Sequence, residues 1–404
     1  MKSIWTLRLG DEGLLSLMND ELDAKKFQPL EQYAYPPTPA NETIRQYAGQ
    51  IWRTLRRETE DPYITGDSLR VANKNKLSRI VPPPACGPLL ADVNLTLEDW
   101  TQQSDPVHWI QLLVLPPCDH IDIVRSWAIQ HGHTILESPS RSEIIDGAED
   151  IALPDPSGDG VVVIPRLEYW FIRHRSGLRL LRRLLDRLAT LQRHCVIGCN
   201  SWAWSFFEKK VGADLVLPHG VTLQAFDAAR LHHWFSQLIK SGYVDGKVFR
   251  LSVDGSDIFK TDRDDGKPES EYLMKLAARS LGIPWVAWHL WHSSLRFGPK
   301  DDERFAKRFP DEQALWVAEL DDLQLPKNHV SEALLALHAL LLHNALTADE
   351  LSIVLPSADE SNLLAALVSS DFVQRDGDLY SCVPAAYPAI RQSLVSAGFP
   401  SDRL

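Results

Sequence analysis

An α/β fold with a parallel sheet, followed by a small helical module that ends in a β-hairpin, is what this sequence predicts. Two patterns carry the prediction. From about residue 105, short apolar runs of strand length alternate with stretches of helical period, as parallel strands joined by crossover helices do. From residue 329, three helical stretches precede two β-prone runs joined by Asp376-Gly377-Asp378, a strong hairpin signal. The composition agrees: 404 residues, 44% hydrophobic and 24% charged, suffice for two or three domains with proper cores. No run is apolar enough to span a bilayer, and Met1-Lys2-Ser3-Ile4-Trp5 lacks the features of a secretion signal. The expected compartment is the cytoplasm.

Four regions follow in order. Residues 1–104 read as an extended arm with a helix. Tyr35-Pro36-Pro37-Thr38-Pro39 and Val81-Pro82-Pro83-Pro84 suit neither helix nor central strand, while 42–58 places Ile44, Tyr47, Ile51, Trp52 and Leu55 near helical spacing. Residues 105–241 read as an α/β core. Its strands are 109–115, 133–136, 161–164, 195–199 and 221–226. Its helices are 121–131, an arginine-rich 178–192, 202–211 and 227–241. Residues 242–328 read as a helical region with a polar hairpin insertion: polar strands over 243–268, helices 269–281 and 285–295, and a strand at 314–319. In residues 329–404, helix 330–343 precedes a capping box at Thr347 and Glu350, helix 357–369 and the hairpin.

Taken together, residues 105–395 resemble an AAA/STAND-type P-loop ATPase with an origin-recognition-like layout. The hairpin module then corresponds to a C-terminal winged helix and residues 242–328 to the lid. The resemblance implies nucleotide chemistry at four places, and the sequence departs from it at the first two. A phosphate-binding loop surrounds its ligand with glycine N–H groups and a lysine. The turn after the first core strand reads Leu115-Pro116-Pro117-Cys118-Asp119-His120-Ile121-Asp122, without Gly or Lys. Prolines donate no N–H, and an aspartate about 4 Å from a phosphate charge costs on the order of 1–4 kcal/mol. After 161–164, Pro165-Arg166-Leu167-Glu168 stands where relatives carry acids for magnesium and water, leaving Glu168 for the second role or for pairing with an arginine. Asn200 corresponds to the residue that reads the terminal phosphate, or it caps the next helix. Arg279 precedes Gly282-Ile283-Pro284 as a phosphate-sensing arginine or as an exposed helix residue. Asn200, Glu168 and Arg279 are therefore the candidate nucleotide contacts, should a nucleotide bind.

Other constellations point away from catalysis. Cys118, His120 and Cys199 lack the close ligand pairs of a zinc site, and five scattered cysteines form no disulfide framework. Trp285, Trp288 and Trp291 read as a buried stripe. Within a chain of net charge -12, Arg173, Arg175, Arg179, Arg182, Arg183 and Arg187 cluster as a docking face, unless acidic loops at 143–159 compensate it. A protein partner with an acidic surface fits this face better than nucleic acid, because 357–369 contains no Lys or Arg for phosphate contacts. The expectation is a pseudo-ATPase scaffold or regulatory subunit, without cofactor or metal, free to oligomerise. A divergent ATPase, and a DNA-associated regulator using the arginine helix, are the alternatives.

Overall fold

The run Ile110–Leu115 is almost wholly buried, so its strand must lie inside a sheet covered on both faces. A computed structural model of the chain describes residues 27–38, 70–71, 87–147, 155, 158–241, 247–261, 270–297, 313–320, 323, 325, 330–356 and 362–404. The helix expected over 42–58, the prolines at 82–84, the acidic stretch 148–154 and the start of the helix expected at 357 lie outside these residues.

The central sheet takes its strands from residues 27–223. Its strands are β1 (Phe27–Pro29), β3 (Ile110–Leu115), β4 (Thr134–Ile135), β5 (Val162–Ile164), β6 (Cys195–Asn200) and β7 (Val221–Leu223), while β2 (Arg70–Val71) belongs elsewhere. The order is β1-β7-β3-β6-β5-β4, with β1 antiparallel to β7 and every other pairing parallel. The first and fourth core strands, β3 and β6, are thus neighbours, as an AAA-type sheet places them. Around the sheet run α1 (Gly87–Thr101), α2 (Ile123–Gln130), α3 (Arg141–Asp146), α4 (Arg179–Leu188), α5 (Ser201–Val211) and α6 (Ala228–Ser241). Helix α1 is an addition to the arm read from the sequence. Leu89, Val93, Leu97 and Trp100 bury one face of it, next to α2 and β1.

A second sheet adjoins the expected lid helices. It holds β8 (Lys247–Leu251), β9 (Leu295–Phe297) and β10 (Gln313–Val317) in the order β2-β9-β10-β8, and β8 and β10 run parallel. The polar segment at β8 therefore pairs with a distant strand, besides turning back on itself through an Arg250–Asp257 bridge. Helices α7 (Glu271–Arg279) and α8 (Pro284–Ser294) pack beside it, and Trp285, Trp288 and Trp291 are buried. The C-terminal unit comprises α9 (Val330–His343), β11 (Leu346–Thr347), α10 (Ala348–Val354), α11 (Leu363–Ser369), β12 (Val373–Asp376), β13 (Leu379–Cys382) and α12 (Tyr387–Ser396). Both hydrogen bonds of the Thr347–Glu350 capping box form. The arm straps these parts together: β1 extends the sheet, Tyr33 Oη donates to the Leu281 carbonyl at 2.7 Å, and Arg391 lies over the Tyr35 ring. Among the described residues, no helix is long and apolar enough to cross a membrane.

Candidate functional site

Leu115 ends β3, and the chain turns through Pro116 and Pro117 into α2. Two non-glycine residues of this corner, Cys118 (φ 62°) and Asp122 (φ 51°), adopt left-handed backbone, a conformation that persists where the surroundings dictate it. The reason lies in where the N–H groups point. Asp119 accepts hydrogen bonds from the backbone N–H of Ile121 (2.9 Å) and Ile123 (3.3 Å). Asp122 caps α2 by accepting from the Arg125 N–H at 3.2 Å. The start of a helix is a ready anion site. Here the chain's own two carboxylates occupy it.

Arg125 of α2 pairs with Asp122 at 3.3 Å, and the rest of their counter-charge comes from across the sheet. Arg166, just past β5, reaches Asp122 Oδ2 at 3.1 Å, Asp119 Oδ2 at 3.6 Å and Glu168 Oε1 at 3.4 Å, and also donates to the Asp119 carbonyl. Burial works against its charge, but the three carboxylates win, and the guanidinium is held more firmly protonated than usual. Glu168 is 1% exposed and sits in the short 3-10 turn Leu167–Trp170. Its Oε2 accepts the Asn200 N–H at 3.2 Å. Burial pushes the Glu168 carboxyl up despite Arg166. Asn200 ends β6 and caps α5, its Oδ1 accepting from Ala203 N–H at 2.7 Å while its Nδ2 donates to the Leu341 carbonyl of α9 at 3.2 Å.

Little space remains. The cavity bounded by Pro116, Asp119, Asp122, Arg166, Glu168, Asn200 and Asn344 has a volume of about 10 Å³, which holds one water at most. Above it, Trp285 Nε1 of α8 donates to the Pro117 carbonyl at 2.9 Å, and the Gln374 amide of β12 meets His120 Nε2 at 3.0 Å. His120 accepts that hydrogen bond as a neutral ring, in keeping with the downward push of burial on its pKa.

The sequence-level candidates divide accordingly. Asn200 and Glu168 stand together at the corner, both tied to backbone partners. Arg279 is not with them. Its guanidinium donates to the Leu320 carbonyl at 2.7 Å and lines a separate cleft at the ends of β8 and β10. Of the arginine cluster, Arg175, Arg179, Arg182, Arg183 and Arg187 are exposed. Arg173 turns inward: its backbone N–H donates to His343 Nε2 at 3.0 Å and its guanidinium to the Val354 carbonyl at 3.4 Å. Two residues of the site carried no sequence signal of their role. Arg166 was one arginine among several. Arg141 is buried beneath the corner, donating to the Glu168 carbonyl (3.1 Å) and the His343 carbonyl (3.4 Å). Cys118 and Cys199 are buried thiols whose ionisation burial suppresses. Among the described residues, no three His, Cys, Asp or Glu side chains are grouped to hold a metal ion.

No protein-family model matches the chain, and no curated protein does. Solved structures do. Cdc6p from Pyrobaculum aerophilum aligns over 82% of this chain and all of its own length, with 12% identity and a TM-score of 0.31. The ORC2 protein of Aeropyrum pernix, solved as ADPNP–ADP complexes, aligns over 81% of this chain and 99% of its own, with 10% identity and a TM-score of 0.32. The ORC1 protein of the same organism, solved with DNA, aligns over 81% and 98%, with 13% identity and a TM-score of 0.33.

Proposed function

We propose that this chain is a pseudo-ATPase: an AAA-like scaffold or regulatory subunit that works through protein contacts and needs no nucleotide. The filled corner carries this reading. The α2 N–H groups that would bind a phosphate are taken by Asp119 and Asp122, and the space a triphosphate needs has shrunk to about 10 Å³. Around that space the three carboxylates meet the guanidiniums of Arg166 and, at Asp122, Arg125, so the corner has no spare positive charge to offer a further anion.

A divergent ATPase would need Asn200, Glu168 and Arg279 at one site, and Arg279 lines another cleft. The C-terminal unit, read as a winged helix, is poorly suited to DNA. Helix α11 reads Leu363-Leu364-Ala365-Ala366-Leu367-Val368-Ser369 and has no cation for a phosphate. The exposed arginines of α4 supply the docking face instead, and a partner with an acidic surface fits them.

Calorimetric titration of the full chain with ATP and magnesium tests the nucleotide half of this reading. No heat of binding is expected through the millimolar range. Micromolar affinity that disappears in Asn200→Ala would make the chain a divergent ATPase.

A further inference from the structure

The junction of α7 and α8 packs against the segment that follows β7. Phe226 N–H donates to the Gly282 carbonyl at 2.8 Å, and a Cβ on Gly282 would lie 2.6 Å from Ala225 Cβ, so the two backbones touch. The junction is bent through two left-handed residues, Leu281 (φ 58°) and Gly282 (φ 73°). Glycine adopts that backbone freely. A leucine is disfavoured there by the clash of its Cβ with the following carbonyl, and it persists where its surroundings dictate it. One of those surroundings is the arm. Tyr33 Oη donates to the Leu281 carbonyl at 2.7 Å, and burial pushes the phenol pKa up, which keeps it a donor.

Tyr33 is in turn fixed to the core. β1 pairs with β7 from Phe27 to Pro29, Leu30 N–H donates to the Gly220 carbonyl at 3.0 Å, and the Phe27 and Leu30 side chains are buried. Arm, β7, the Ala225-Phe226 segment and the α7–α8 junction therefore close a ring of contacts. Four residues past Leu281, Trp285 Nε1 donates to the Pro117 carbonyl between β3 and α2. The seat of α8 over that corner is thus tied to the arm. β2 repeats the arrangement in the second sheet, where Arg70 and Val71 pair antiparallel with β9.

We propose that Tyr33 is a latch: its hydroxyl holds the left-handed α7–α8 junction and, through it, keeps Trp285 seated on Pro117. The proposal rests on the scaffold reading, because a corner that takes no nucleotide leaves the placement of α7 and α8 to the chain's own contacts. Tyr33 acts on α8 through Leu281 and is a positioning residue.

Tyr33→Phe removes one hydroxyl and leaves the ring, so the full-length variant tests the latch without disturbing the packing of the arm. Hydrogen–deuterium exchange in fragments covering 279–288 should accelerate about fivefold, the size expected of one hydrogen bond. Fragments of β3, β5 and β6 should exchange as before. The transmitted effect is read at Trp285, whose indole N–H signal is assigned in NMR spectra by its loss in Trp285→Phe. That signal should shift and exchange faster with water in Tyr33→Phe. Tyr35→Phe, which keeps the Leu281 contact, should leave it in place. Unchanged exchange over 279–288, acceleration spread equally over the whole chain, a Trp285 signal that stays as in the parent, or an equal shift in Tyr35→Phe overturns the proposal. All of this is measured without nucleotide, so the calorimetric test of the scaffold reading succeeds or fails separately.

Discussion

Arg166 is the residue on which the corner turns. Its guanidinium serves three carboxylates that would otherwise face one another in a space that admits one water. Arg166→Met keeps most of the stem volume and removes the charge. Removing one partner of a buried ion group costs roughly 3–5 kcal/mol, and urea unfolding should show a loss of that size at neutral pH. The pH response separates charge from packing. Without Arg166 the buried Glu168 carboxyl, already pushed up by burial, loses the charge that opposed that push and takes up a proton more readily, so the deficit should shrink as pH falls. A deficit constant with pH would mean that the arginine acts by packing alone.

His343 gives the opposite sign. It is fully buried, its Nδ1–H donates to the Ala339 carbonyl at 2.8 Å, and its Nε2 accepts from Arg173. Burial, with the Arg141 guanidinium next, holds its pKa well below the ordinary imidazole value. Below about pH 6.5 the unfolded chain takes up a proton that the folded ring refuses. The stabilisation is complete above that pH and is lost as pH falls toward the folded value. His338, pushed down to about 4 by burial, acts in the same direction. Stability measured by urea unfolding should therefore decline from pH 6.5 downward, and His343→Asn should flatten the slope while lowering stability at pH 7.5.

At the scale of elements, the strands and the corner were legible because each is local. The apolar run of β3, the Pro-Pro turn, the capping box of α10 and the Asp-Gly hairpin all declare themselves within a few residues. The filling of the corner was not legible, because Arg166 reaches Asp119 across the sheet from the end of another strand. The second sheet was hidden for a similar reason: β2 and β9 are two and three residues long, too short for a period, and β8 pairs with β10, which lies beyond α7 and α8 in the chain. Helix α1 did carry a signal in Leu89, Val93, Leu97 and Trp100, masked by the prolines that surround it.

Gly198 is a glycine whose meaning only the structure supplies. A Cβ there would lie 2.1 Å from the Pro165 carbonyl oxygen, so β6 and the segment carrying Arg166 approach as closely as they do because residue 198 has no side chain. The backbone has no room to yield without moving the corner. Gly198→Ala should cost about 1–3 kcal/mol in denaturant unfolding, the range for overpacked cores. It should also displace Arg166, visible as a changed environment of the His120 ring in NMR spectra.

Across the whole molecule, the same corner binds the C-terminal unit to the core. Asn200 donates to the Leu341 carbonyl, Trp202 Nε1 to Tyr387 Oη at 3.1 Å, and Ser201 Oγ to Asp402 at 2.6 Å. Asp402 also accepts from Tyr387 and Arg391, so one buried carboxylate joins α5 to α12. These contacts use residues at the end of β6, the place where an ATPase senses its phosphate. On the proposed reading, in which no nucleotide enters the corner, the interface has no signal to release, and the core and the C-terminal unit should unfold as one. Tryptophan fluorescence and far-ultraviolet circular dichroism should trace a single coincident urea transition in the parent chain. Asp402→Ala removes the acceptor that Ser201, Tyr387 and Arg391 share, at a cost of roughly 1–3 kcal/mol for the buried donors whose hydrogen bond is lost. In that variant the two probes should separate, with the C-terminal unit melting first. Coincident transitions in Asp402→Ala would place the coupling elsewhere, in the buried apolar packing of α9 against α5.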